Sequence, residues 1–122
     1  GKKYIDTKFP ERHQLIVGDS LKTIPEMIND KNRNPQIFDL IFIDGGHDYE
    51  TATGDISNCK QLANSDTIVI LDDTAYEPSY VRHYTVGPTK AWLEAIKNNI
   101  ISEIAHDDIS PGRGVSWGKY VF

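Results

Sequence analysis

The sequence predicts an α/β fold built on an open, mostly parallel sheet that ends in an antiparallel strand pair. Three observations carry that prediction. The apolar runs in FDLIFID and TIVILDD both stop at acidic residues. Between them Tyr49, Ala52, Ile56, Cys59 and Leu62 recur at helical spacing. After residue 100, ISEIAHDDIS and GVSWGKYVF flank the Ser110-Pro111-Gly112 turn and read as two paired strands.

In chain order, QLIV at 14–17 is a short apolar run ending in Gly18-Asp19-Ser20, which predicts a strand and a turn. Leu21, Ile24, Met27 and Ile28 follow at helical spacing. Thr23 with Glu26 has capping-box spacing, and Pro25 is expected in a first helical turn. The polar stretch 30–36 is a loop. Residues 37–43 are near-continuously hydrophobic, the pattern of a strand covered on both faces. A helix, a second buried strand at 67–71 and a tyrosine-rich loop at 74–87 come next. A helix is predicted over 88–99, with Pro88 in its first turn.

The bulk numbers exclude several classes. A chain of 122 residues suits one domain, 1–122, and 39% hydrophobic content allows a core. The net charge of −5 argues against nucleic acid, whose phosphates attract Lys and Arg. No apolar run approaches the ~20 residues of a membrane span. A single cysteine, Cys59, forbids an internal disulfide and leads us to expect a reducing, cytoplasmic setting. The sequence contains no G-x-x-x-x-G-K-[ST], H-E-x-x-H or G-x-S-x-G motif.

Open α/β sheets bind ligands at the carboxyl ends of their strands. Asp19, Asp44, Asp72 and Asp73 all sit where an apolar run stops. If the strands ending at Asp44 and Asp72 are neighbours, three carboxylates converge and need protons, solvent or a cation. A hard ion such as Mg²⁺ accepts such oxygens and retains open positions. The competing reading is that Asp44 and Asp48 cap the next helix while Asp72 and Asp73 occupy a turn. His47 is either a general base beside that ion or a helix-end imidazole held by Asp48 or solvent. His13, His83 and His106 show no ligand spacing and are expected at the surface; Cys59 is expected in the core. Tyr76, Tyr80, Tyr84 and Trp92 either line a substrate mouth or cover the sheet.

LIVGDSLKTIPEMI, FDLIFIDGGHDYE and TIVILDDTAY, in that order, resemble class I S-adenosylmethionine-dependent methyltransferases. They are most similar to the metal-dependent O-methyltransferases of catechol and macrolide-sugar type. The resemblance implies a Rossmann-like sheet and places Asp44, Asp72 and Asp73 at the metal-ligand positions. It puts His47 at the base position, where sugar-modifying relatives carry histidine and the catechol type lysine. Asp19, Ser20 and Gly45 match positions beside the cofactor. It implies S-adenosylmethionine and a divalent metal, Mg²⁺ foremost, as cofactors and a small-molecule hydroxyl as acceptor.

The family's glycine-rich turn and its second-strand acid have no counterpart, since no G-x-G precedes Gly18. The chain is therefore expected to lack the family's first two strands and to represent a C-terminal half. One expectation is metal-dependent O-methyl transfer. A second, of another class, is an inactive remnant that dimerises through exposed strand edges. A third is a metal-dependent hydrolase using the same acids.

Overall fold

A computed structural model describes residues 1–34 and 36–122. Its helices are α1 (Lys2–Lys8), α2 (Ser20–Asn29), α3 (Tyr49–Cys59) and α4 (His83–Lys97). The strands are β1 (Leu40–Ile43), β2 (Ile68–Asp72), β3 (Ile101–Ser110) and β4 (Arg113–Tyr120). They form one sheet in the order β1-β2-β4-β3, with β1 and β2 parallel and both other pairings antiparallel.

The core follows from the alternation along the strands. Ile41 and Ile43 of β1 and Val69 and Leu71 of β2 point to one face, where they join Ala52, Ile56 and Cys59 of α3 and Trp92 of α4. On that same face β4 presents Gly114, Ser116, Gly118 and Tyr120. The Tyr120 hydroxyl donates to the Ile56 carbonyl at 2.8 Å, tying the sheet to α3. The stripe predicted on α3 is the buried one. Cys59 lies in the core as expected, and burial pushes its thiol up to about 11.

Four expectations change. Residues 14–17 are not a strand: they join no ladder, and Leu15, Ile16 and Val17 are exposed. An apolar run becomes a strand only where a neighbouring backbone meets its N–H and C=O groups, and no described strand pairs with this one. The run at 37–43 is a strand only from Leu40, and it is covered on one face. Leu40 and Phe42 are 57% and 55% exposed, because α3 and α4 both pack on the side of Ile41 and Ile43.

Both proline-bearing helices start earlier than predicted. Asp19 caps α2 by accepting from the Leu21 amide at 3.0 Å, which leaves Pro25 in the helix interior. In α4 the Arg82 amide donates to Thr85 Oγ1 at 3.0 Å, so Pro88 is interior as well. In each case the local cap outweighs the one backbone bond a proline removes. Helix α1 carries no buried residue, and the apolar patterning had not marked it. The predicted loop at 30–36 is free of helix and strand over its described residues; Pro35 lies outside them.

Candidate active site at the carboxyl ends of β1 and β2

The parallel register pairs Ile43 with Leu71, so the next residues, Asp44 and Asp72, leave their strands side by side. Asp73 joins them for a different reason. Successive residues of a strand point to opposite faces, so two adjacent acids should diverge. Asp73 instead adopts φ +58°, a left-handed conformation that aspartate tolerates better than most residues. That turn breaks the alternation. One carboxylate oxygen from each of Asp44, Asp72 and Asp73 then lies within 4.8 Å of the others.

His47 completes the group, its Nε2 2.8 Å from Asp73 Oδ2. The alternative assignment for Asp48 holds, because its side chain caps α3 by accepting from the Thr51 amide at 2.8 Å. That bond keeps the Asp48 carboxyl below its ordinary range. Asp44 makes no such cap; it belongs to the cluster. Gly87 of α4 presses against this loop: a Cβ there would lie 2.3 Å from the His47 carbonyl oxygen. Between the acids, His47 and Pro88 is a cavity of about 10 Å³, room for roughly one water or ion.

The donor set suits a hard divalent cation. Oxygen ligands at about 2.0–2.6 Å from a shared ion lie at most ~4–5 Å apart. The observed separations meet that limit with small side-chain adjustments.

Asp19 does not follow a strand as predicted, but it reaches the same rim. Asp19, Ser20 and Gly45 gather around Asp55, which patterning did not single out. Asp55 is only 4% exposed, and its Oδ1 has no hydrogen-bond partner among the described residues. Burial pushes its carboxyl above the ordinary range; Ser20 opposes the rise, and the charges of Asp19 and Asp48 add to it. A Cβ on Gly45 would lie 3.1 Å from Asp55 Oδ2. The available signal was an acid set within a buried helical stripe, between Ala52 and Ile56.

The aromatic candidates separate. Tyr84 stands beside His47, ring centroids 5.6 Å apart. Trp92 is fully buried and its Nε1 donates to Glu103 at 2.6 Å, so it is core and not mouth. Tyr76 also turns inward, stacking on His106. His106 corrects the surface expectation: its side chain is 8% exposed because β3 turns it towards Ser116 of β4.

This α/β sheet, with acids gathered at the carboxyl ends of two parallel strands, is that of a truncated Rossmann-like fold. A family model described as a methyltransferase domain matches residues 2–74, and the chain belongs to that family. Among solved structures, it is similar to the S-adenosylhomocysteine-bound methyltransferase PaMTH1 of Podospora anserina, at 20% identity and a TM-score of 0.62. That alignment covers 99% of this chain and 53% of PaMTH1, so the chain spans about half the length of that protein. Comparison with the curated proteins gives no match. Among the described residues, no helix is long and apolar enough to cross a membrane.

Proposed function

We propose that this chain carries the metal-binding and catalytic edge of an S-adenosylmethionine-dependent O-methyltransferase acting on a small-molecule hydroxyl. The observation that carries the reading is the meeting of Asp44, Asp72 and Asp73 with His47 at one sheet edge. Membership of the methyltransferase-domain family and the likeness to an S-adenosylhomocysteine-bound structure support the cofactor.

In this reading S-adenosylmethionine supplies the methyl group, and a divalent ion held by the three acids supplies positive charge beside the acceptor oxygen. The residues of the chain do the rest. Asp73 accepts from His47 Nε2–H and so leaves Nδ1 as the basic nitrogen. His47 takes the acceptor's proton there. Asp19, Ser20 and Gly45 border the cofactor, with Asp55 behind them.

Calorimetry with S-adenosylmethionine and with Mg²⁺, on the intact folded chain, is the first test. Binding of both, with Mg²⁺ binding lost in Asp44→Asn, supports the proposal; binding of neither removes it. Hydrolysis of phosphate or carboxylic esters in the presence of Mg²⁺ would move the same acids to a hydrolase.

One observation favours a second reading, a methyltransferase-like chain that pairs with another copy without catalysing transfer. β1 lies at the sheet edge and exposes Leu40 and Phe42. Unpaired apolar edges recruit strands. Light scattering distinguishes the two: a strict monomer rules this second reading out.

A further inference from the structure

Behind the acidic edge lies a second, buried polar cluster. Ser116 sits opposite Leu71 on β2 and opposite His106 on β3, so the three share one row of the sheet. Asp108 Oδ1 is 2.7 Å from His106 Nε2, and His106 Nδ1 is 2.8 Å from Ser116 Oγ. Acid, imidazole and hydroxyl in that order are the parts of a hydrolytic triad. Ser116 and Thr74 are 0% exposed, however, so no substrate reaches the hydroxyl. The partners of the cluster are other groups of the chain.

Its contacts converge on the segment that leaves the metal-site acids. Thr74, the residue after Asp73, places its Oγ1 2.8 Å from Ser116 Oγ and 3.3 Å from His106 Nδ1. Its amide donates to the Gly114 carbonyl at 3.2 Å. The amides of Tyr76 and Glu77 donate to the Asp108 carboxylate at 3.0 and 2.7 Å. The Tyr76 ring lies flat on His106 with centroids 3.6 Å apart, and its hydroxyl donates to Glu103. The left-handed turn at Asp73 therefore has a fixed anchor on its downstream side. A hydrogen-bonded network with every member engaged rigidifies what it holds.

We propose that Thr74, His106, Asp108 and Ser116 form a positioning network that holds Asp73 in its turn, and through it the carboxylate that meets both His47 and the metal site.

The test uses the full chain and a pair of substitutions at the pivot. Thr74→Val removes the hydroxyl at nearly constant volume; Thr74→Ser keeps it. Two readouts are taken on folded protein, as judged by circular dichroism. The first is the ring ¹⁵N chemical shifts of His47 at fixed pH, which report its contact with Asp73 without any metal. Thr74→Val and Asp108→Asn are expected to move them, and Thr74→Ser to leave them in place. The second is Mn²⁺ affinity by electron paramagnetic resonance, expected to fall at least tenfold in Thr74→Val and to be retained in Thr74→Ser. The second readout rests on the proposed metal reading, whereas the first does not. A wild-type chain that binds no Mn²⁺ overturns the metal reading alone, and the His47 shifts then decide the network. Unmoved His47 shifts in a folded Thr74→Val chain overturn the network. Should Thr74→Val not fold, Asp108→Asn is read in the same way.

Discussion

Helices α1 and α2 contain no buried residue, whereas α4 alone buries Thr85, Pro88, Ala91, Trp92 and Ala95. Among the described residues, every member of the buried core lies at Ile41 or beyond. The region before β1 attaches through half-buried contacts: Ile24, Met27, Ile28 and Phe38 pack against the core without entering it. Where a glycine permits, the approach is close, as at Gly54, where a Cβ would meet Leu21. Burial of apolar surface is the dominant favourable term in folding, so the two regions should differ in what a lost side chain costs. The difference also bears on the site. Its acids and His47 stand on the well-packed region, while Asp19 and Ser20, the proposed cofactor rim, stand on the loosely attached one.

The largest expected effect comes from Trp92→Ala. Removing a fully buried indole costs about 3–5 kcal/mol, and here it also takes away one of the two donors to Glu103, leaving the Tyr76 hydroxyl. Val17→Ala, at an exposed side chain, should stay within about 0.5 kcal/mol. Urea denaturation of the two variants measures the contrast directly; comparable costs would erase it.

Gly87→Ala comes next. The added methyl meets the His47 carbonyl and the Tyr49 amide, and overpacking of this kind costs about 1–3 kcal/mol. The penalty should appear together with a shift in the His47 ring resonances, because the strain falls on the loop that carries it. A loss of stability with unmoved His47 signals would show that α4 yields and the site does not.

The smallest effect sharpens the junction between the regions. Asp55 has a carboxyl whose folded-state pKa is raised by burial. The native state therefore binds its proton more tightly than the unfolded chain does, and ionisation destabilises the fold. Below the ordinary value of 3.8 both states are protonated and the penalty is absent. It grows as pH rises through that value towards the raised one, and is complete above it. Asp55→Asn should thus match or exceed wild-type stability at pH 7, with its relative advantage shrinking towards pH 4. Denaturant midpoints across that range provide the check. An advantage that grows on acidification contradicts the assignment.

Much of the site was legible because its residues stand at the ends of recognisable patterns. Asp44 and Asp72-Asp73 terminate apolar runs, and His47 lies just before a helical stripe that proved to be α3. Asp55, His106 and Thr74 were not legible. Asp55 lies within a stripe that otherwise reads as core, and His106 and Thr74 gain their meaning from partners 10 to 42 residues away. The misread strand at 14–17 has the same cause in reverse. Its residues are apolar enough for a sheet, but pairing requires a neighbour that composition does not specify.

By itself, the order of residues determined the α/β class, the buried stripe of α3, the two strands ending in acids and the closing hairpin. Each depends on local periodicity, which is written along the chain. Only the tertiary structure decided that one sheet face would stay open, that both prolines would sit inside helices, and that Asp73 would turn to meet Asp44 and Asp72. Those outcomes depend on cross-strand register, on caps competing with prolines, and on a left-handed residue anchored from a distant strand. Such contacts form only when separate parts of the chain meet.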